Sequence, residues 1–225
     1  MPGYQVKHET ISIGGSAFHI RSLLDTQQYA DALGAAEHIG MSAASWPLFG
    51  QVWPSARVLA LAMMTHNIVD KRILEIGAGL ALASLVLHRR SGCITVTDWH
   101  PLTESFLQEN LRLNGLAPPP YQAGNWEEED ASDTQALGLF DLIIGSDVLY
   151  ERQQPAQLAH FVHRHAAPGA EILIVDPDRG NRAAFCRAMN ALGYGLHTLV
   201  ANKSLETGEA YKGRFLSFAS TPLPS

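Results

Sequence analysis

Cysteine is scarce in these 225 residues, with only Cys93 and Cys186. Two cysteines in a chain of this length are not a disulfide framework. Neither belongs to a C-x-x-C pair, so the sequence holds no zinc or dithiol redox motif, and both are expected to be small core residues. Long apolar runs are missing as well, none approaching the ~18 residues a membrane span needs. The first ten residues are polar and lack the apolar segment of a secretory signal. The expectation is a cytoplasmic protein that makes no membrane contact. Basic charge is in deficit, with 16 Lys+Arg against 22 Asp+Glu and a formal charge of −6. Proteins that bind by neutralising phosphates are usually basic, and no basic stripe is found, so the balance argues against a nucleic-acid partner. Internal repeats and low-complexity linkers are also lacking.

What is present is the composition of a chain that buries a core, 46% hydrophobic and 17% charged. That excludes a disordered or fibrous protein. The length suits one α/β domain with a short arm. Residues 1–52 are expected to form the arm and residues 53–225 the main domain. In the arm, Ile11–Ile13, Gly14-Gly15 and Phe18–Ile20 predict a β-hairpin, followed by a short helix over 27–37. Pro54 opens a helix through about His66, since proline is tolerated in a first turn. From residue 71 strand-sized and helix-sized segments alternate. Strands are expected over 72–76, 93–97, 140–145 and 171–176, with helices over 80–88, 102–114, 157–166 and 182–192. The 157–166 helix should stop at Pro168-Gly169. Two last strands, near 196–200 and 214–219, have no helix between them and predict an edge hairpin with one antiparallel strand. This is the pattern of a doubly wound, mostly parallel sheet with helices on both faces. In such sheets ligands bind beyond the C-terminal strand ends, where strand order reverses.

The residues at those ends carry the candidate chemistry. The first strand runs into Glu75-Ile76-Gly77-Ala78-Gly79, and Asp98 ends the next strand 19 residues after Gly79. Glycines let a backbone approach a ligand closely, a helix N-terminus offers unpaired N–H groups, and a strand-end carboxylate can accept from both ribose hydroxyls. A dinucleotide-binding loop would place a third glycine where Leu82 stands. Glu75 would repel a pyrophosphate and suits a ligand with a cationic amino-acid end, such as S-adenosylmethionine. The ten histidines are scattered. His160, His163 and His165 share one helix without a further ligand and read as a solvated face. The Asp176–Gly180 segment reads equally as an acceptor contact or as a turn with Asp178 capping the next helix.

The Glu75–Gly79 run resembles the first motif of the class I S-adenosylmethionine-dependent methyltransferases. Gly50–Ala56 with its Trp53-Pro54, Asn125-Trp126, and Ser146-Asp147-Val148-Leu149-Tyr150 together resemble the protein-lysine methyltransferase group called methyltransferase family 16. The resemblance covers roughly residues 10–220. It implies a Rossmann-like seven-stranded sheet, S-adenosylmethionine as cofactor, and methyl transfer to nitrogen, most often a protein lysine. It also implies that Gly77, Ala78 and Gly79 approach the methionine part of the cofactor and that Asp98 holds the ribose. Asn125 and Trp126 then lie by the adenine, Trp53, Glu75 and Ser146 complete the cofactor site, and Asp147 and Tyr150 face the acceptor. The family often has a third glycine where this chain has Ala81. A small-molecule N-methyltransferase and a non-catalytic cofactor-binding scaffold remain the alternatives. Base methylation is disfavoured, because Asp147-Val148-Leu149-Tyr150 stands where base-amino enzymes often carry N-P-P-Y or D-P-P-Y.

The acidic excess is local. Between Trp126 and Glu151 lie eight acids, among them Glu127, Glu128 and Glu129, and no Lys, Arg or His, which leaves the rest of the chain at +2. The segment is either a solvated loop or an acidic rim that steers a cationic acceptor. Trp46 and Trp99 are expected to be packing residues.

Overall fold

The computed structural model describes residues 3–124, 126, 137–150, 155–178, 180–201 and 210–220. A two-stranded antiparallel sheet opens the chain, β1 (Val6–Ile13) with β2 (Ser16–Leu23), turning at Gly14-Gly15 as the alternation requires. Next come a one-turn helix α1 (Ala35–His38), a 3-10 turn (Trp46–Gly50) and α2 (Pro54–Met63). The remainder runs β3 (Arg72–Ile76), α3 (Leu82–Arg89), β4 (Cys93–Asp98), α4 (Thr103–Leu113), β5 (Tyr121–Ala123), β6 (Phe140–Ser146), α5 (Pro155–His165), β7 (Ala166–Asp176), α6 (Arg182–Ala191), β8 (Tyr194–Val200) and β9 (Arg214–Ser220). The seven-stranded sheet has the order β5-β4-β3-β6-β7-β9-β8. β9 is antiparallel to both neighbours, and the other pairs are parallel.

The central strands have no solvated face. On β3 and β6, Ile73, Leu142 and Ile144 join the core shared with α2, α3 and α4, while Leu74, Ile76 and Ile143 point into the core under α5 and α6. Successive side chains alternate between faces, so a continuous apolar run is what a strand covered on both sides demands.

The arm belongs to the first of these cores. Ile11, Phe18, Ile20 and the 1% exposed Trp46 pack into it. Two asparagines of the α4 segment bind the outer edge of β2. Asn110 Oδ1 accepts from Arg21 N at 2.7 Å and Asn114 Oδ1 from His19 N at 3.0 Å. These bonds satisfy backbone groups that an open edge would leave unpaired.

Several expectations are corrected. The helix over 27–37 shrinks to Ala35–His38. Asp25 accepts from Gln27 N and Gln28 Nε2, Gly34 has φ 68°, and Asp31 accepts from Ala36 N and Glu37 N. Such local side-chain bonds offer the backbone an alternative to helix. The helix expected from Leu80 starts at Leu82, because Ala81 is left-handed at φ 56°. Pro168-Gly169 does not end the segment before β7. Both residues lie inside β7, at a register break against β6 between Phe140 and Leu142. β5 has only three residues, too few for periodicity to reveal. Cys93 is exposed and Cys186 half-buried, so neither is the core residue expected. His160 and His163 are exposed, but His165 is buried with its ring Nδ1 2.9 Å from Gly138 O. Asp178 is not a helix cap. It pairs with Arg182 and, at 2.8 Å, with Arg214, while Asn181 holds the N-cap position of α6. Among the described residues no helix is long and apolar enough to cross a membrane, and no group of three metal-ligating side chains forms.

Candidate active site

Strand order reverses between β3 and β6, and a cavity of about 330 Å³ opens beyond their C-terminal ends. The glycine loop forms its floor. Gly77 and Gly79 have φ 56° and 54°, a region that favours glycine. A Cβ on Gly77 would stand 2.7 Å from Val148 Cγ1, and one on Gly79 would stand 2.9 Å from the backbone oxygen of Phe49. The loop is therefore held against the end of β6 on one side and the 3-10 turn of the arm on the other. Ala81 adopts the left-handed backbone itself, so the missing third glycine does not prevent the turn.

Asp98 ties this loop to β4. Its Oδ2 accepts from Gly79 N at 2.8 Å and its Oδ1 from His100 N at 2.7 Å. Burial pushes this carboxyl above its usual range, and the N–H bonds oppose that. The Thr103 side chain and the Trp99 backbone also lower it, and Asp98 lies on the cavity wall.

Glu75 does not face the cavity. It is 3% exposed and its carboxylate accepts from Ser84 N at 2.9 Å and from Ser84 Oγ, in the first turn of α3. Burial raises this carboxyl to about 7, with the nearby Asp98 charge adding to the rise. An unfolded chain ionises it near 4.5. Between those values the unfolded state gives up a proton that the folded state keeps, so stability falls as pH climbs from about 4.5 to about 7 and is level above. The shift bounds the loss at about 3 kcal/mol. Glutamine keeps an oxygen for Ser84 and carries no charge. Glu75→Gln is expected to raise Tm by several degrees at pH 8 and by much less at pH 5, as a pH series of melting curves would read. An equal change at both pH values would remove buried charge as the cause.

The remaining wall comes from strand ends and from the arm. Ala78, Trp53, Trp126, Ser146, Asp147 and Tyr150 all line the cavity. Trp53 donates its Nε1–H to Leu48 O at 2.8 Å, so it also braces the arm. Trp126 lies beside Gly77. Asp147 has φ 56° and donates its N–H to Val175 O at 2.9 Å, turning the chain at the end of β6. Tyr150 is 41% exposed. Asn125 lies outside the described residues, as do Glu127, Glu128, Glu129 and Glu151 of the acidic segment.

Sequence reasoning missed the contribution of the arm and of His100. Met41, Ser45, Leu48, Phe49 and Val52 reach the cavity, and so do Trp99 and His100. His100 stacks on Phe49 with centroids 3.6 Å apart, and burial drives its ring down to about 3, so it is neutral at physiological pH. Its place just after Asp98 at a strand end was the available signal. The contact with Phe49 joins residues 51 positions apart and left none.

The architecture is the Rossmann-like fold of the class I methyltransferases. Among solved structures, the ribosomal protein L11 methylase of Lactobacillus delbrueckii subsp. bulgaricus superposes with TM-score 0.57 at 15% identity, covering 75% of this chain and 79% of that one. The T. thermophilus 16S rRNA N2 G1207 methyltransferase, in complex with AdoMet and guanosine, gives 0.59 at 13% identity over 97% of this chain and 51% of that one. Within that class the chain belongs to the lysine methyltransferase family, whose model matches residues 33–190. The protein N-lysine methyltransferase METTL21A of Danio rerio is 34% identical over 121 residues, 50% of this chain and 53% of the relative. The histone-arginine methyltransferase METTL23 of Xenopus laevis is 32% identical over 104 residues, 44% of each chain. The chain thus spans about half the length of the curated relatives it matches.

Proposed function

We propose that the chain transfers a methyl group from S-adenosylmethionine to a lysine side chain of a protein. The observation that carries this reading is the meeting, at the β3/β6 switch point, of a glycine cradle with Asp98 on one side and the Asp147–Tyr150 strand end on the other. The cradle suits a bound adenosyl group, because Gly77 and Gly79 hold a left-handed backbone against the end of β6 and the 3-10 turn, and a Cβ at either would push the loop out of place. Gly77, Ala78 and Gly79 approach the methionine part, Asp98 accepts from the ribose hydroxyls, Trp126 packs by the adenine, and Trp53 and Ser146 complete the site. When bound, the cofactor supplies an activated methyl group for in-line displacement. Glu75 serves the site indirectly, through the α3 turn that follows the loop.

The chain's own work is to align a neutral amine. Positioning of this kind supplies up to about 7–11 kcal/mol of barrier reduction. A lysine arrives charged, with a pKa near 10.4, and apolar surroundings favour loss of its proton. Asp147 orients the arriving ammonium, and Tyr150 at the cavity mouth attracts it through its ring face. The two free cysteines agree with a reducing, cytoplasmic setting.

The test is incubation of the protein with labelled S-adenosylmethionine and a lysate of the source organism, followed by hydrolysis of the labelled band. Methyllysine is expected. Methylarginine would move the acceptor to the chemistry named for METTL23, and label in small molecules alone would remove the protein acceptor. Asp147→Asn is expected to lose most of the label, and full labelling would release Asp147 from the acceptor role.

A further inference from the structure

Tyr211 and Ser55 form a buried pair that the transfer described above does not use. Their hydroxyls lie 2.9 Å apart in a hydrogen bond joining residues 156 positions apart. Ser55 stands in the first turn of α2, between Trp53 and Ala56, which both line the cavity. Neither Ser55 nor Tyr211 lines it. Tyr211 precedes β9 and backs onto the C-terminal ends of β6 and β7. Burial pushes its hydroxyl up to about 12, and the charges of Asp147, Asp176 and Asp178 add to the rise. The phenol therefore stays protonated at physiological pH and can donate. The backbone around it leaves no slack. A Cβ on Gly213 would stand 2.5 Å from the Tyr211 hydroxyl oxygen and 2.6 Å from Asp176 O. Gly213 O accepts from Ala201 N at 3.0 Å, and Arg214 donates its Nε–H to Asp178 Oδ1 at 2.8 Å. Asp147 joins the same strand end through its N–H on Val175 O. The phenol thus ties the start of α2, with Trp53 and Ala56, to the strand ends that carry Asp147.

We propose that Tyr211 is a positioning residue for methyl transfer. Through Ser55 it sets the spacing between the α2 wall of the cavity and the Asp147 strand end, and with it the alignment of the acceptor amine. The inference rests on the methyltransferase reading above. A misplacement of about 1 Å from a change far from the chemistry can cost about 100-fold in rate. The floor proposed for the cofactor is held by other bonds, those of Asp98 to Gly79 N and His100 N. Loss of the hydroxyl pair should therefore reach the transfer step and spare cofactor binding.

Tyr211→Phe, Ser55→Ala and the double variant test it in the intact chain, each assayed well below its melting temperature. Two quantities are read: S-adenosylhomocysteine affinity by calorimetry, and the rate of label transfer from saturating S-adenosylmethionine to increasing amounts of lysate protein. Each single variant is expected to lower the maximal rate at least about tenfold, without raising the amount of lysate protein that gives half of it. S-adenosylhomocysteine should bind within about threefold of wild type. The double variant should be no slower than the slower single variant by more than about twofold, because both changes break one bond. A Tyr211→Phe protein that melts earlier but transfers at the full maximal rate overturns the proposal and leaves the pair a structural brace. So does a loss of S-adenosylhomocysteine affinity as large as the loss of rate, and so does a double variant whose loss is the product of the single ones. Should Tyr211→Phe not fold, Ser55→Ala decides by the same two readings. A wild type that neither binds S-adenosylhomocysteine nor transfers label removes the methyltransferase reading itself, an outcome distinct from a wild type that transfers and a Tyr211→Phe variant that transfers equally well.

Discussion

Gly79→Ala is expected to weaken S-adenosylhomocysteine binding at least about 100-fold and to abolish the rise in Tm that the ligand gives the wild type. Two costs combine. At φ 54° an L-side chain is strained by about 1–2 kcal/mol. The new Cβ would also lie 2.9 Å from Phe49 O, which is backbone and cannot swing aside. Either the loop retreats from the cavity or the 3-10 turn of the arm is pushed outward, carrying Phe49 and the stacked His100 with it. Both movements spoil the floor on which the cofactor is proposed to lie. A 100-fold loss corresponds to about 2.7 kcal/mol, within reach of strain and displacement together. Gly115→Ala is the control. It has φ 66° and nothing within 4 Å of its Cβ position, so it carries the backbone strain without the collision. The control should lose about 1 kcal/mol of stability and bind normally. Normal binding by Gly79→Ala, measured by the same thermal shift, would show that the loop does not meet the ligand.

Asp98→Ala should be the second large loss, and its signature differs. The carboxylate accepts from two backbone N–H groups, those of Gly79 and His100. Removing it strands both in a buried place, at about 1–3 kcal/mol each, partly offset by no longer burying a charge. The expected net cost is about 2–4 kcal/mol, or a fall in Tm of roughly 5–15 °C for a chain of this size. Ligand stabilisation should vanish as well, because the ribose loses its acceptor and the loop its anchor. Asp98→Asn keeps one oxygen and turns an amide NH2 donor toward a backbone N–H, so it should fall between wild type and alanine in both measurements. If the alanine variant melted early but still bound S-adenosylhomocysteine with wild-type affinity, Asp98 would be a structural brace alone.

These two residues show how differently parts of the site could be read in advance. Gly77, Gly79 and Asp98 announce themselves because their chemistry is local. A strand running into paired glycines, then an acid at the end of the next strand, specifies a turn and a carboxylate whatever surrounds them. Asp147 and Tyr150 follow the same logic at the end of β6. Glu75 also belongs to a recognisable motif, yet its neighbours in sequence do not reveal its direction. The turn that lets Gly77 face the cavity leaves Glu75 under α3, where Ser84 receives it. Phe49 and His100 could not be paired beforehand, since nothing in the chain between them demands that one stack on the other. The helix expected over 27–37 failed for the opposite reason. Asp25 and Asp31 offered the backbone nearby partners that win over a short helix without a buried stripe.

Alternating apolar runs and glycine punctuation were enough to determine a parallel α/β sheet with an antiparallel edge and the strand ends where a ligand would lie. Those features follow from periods of two and 3.6 residues and from which residues tolerate a left-handed turn, and both are properties of short segments. Tertiary structure alone decided that the arm closes the cavity, that Glu75 supports the floor instead of lining it, and that the buried imidazole of His100 is neutral. Each of these depends on desolvation and on contacts between segments far apart in the chain, and burial has no signature in local order.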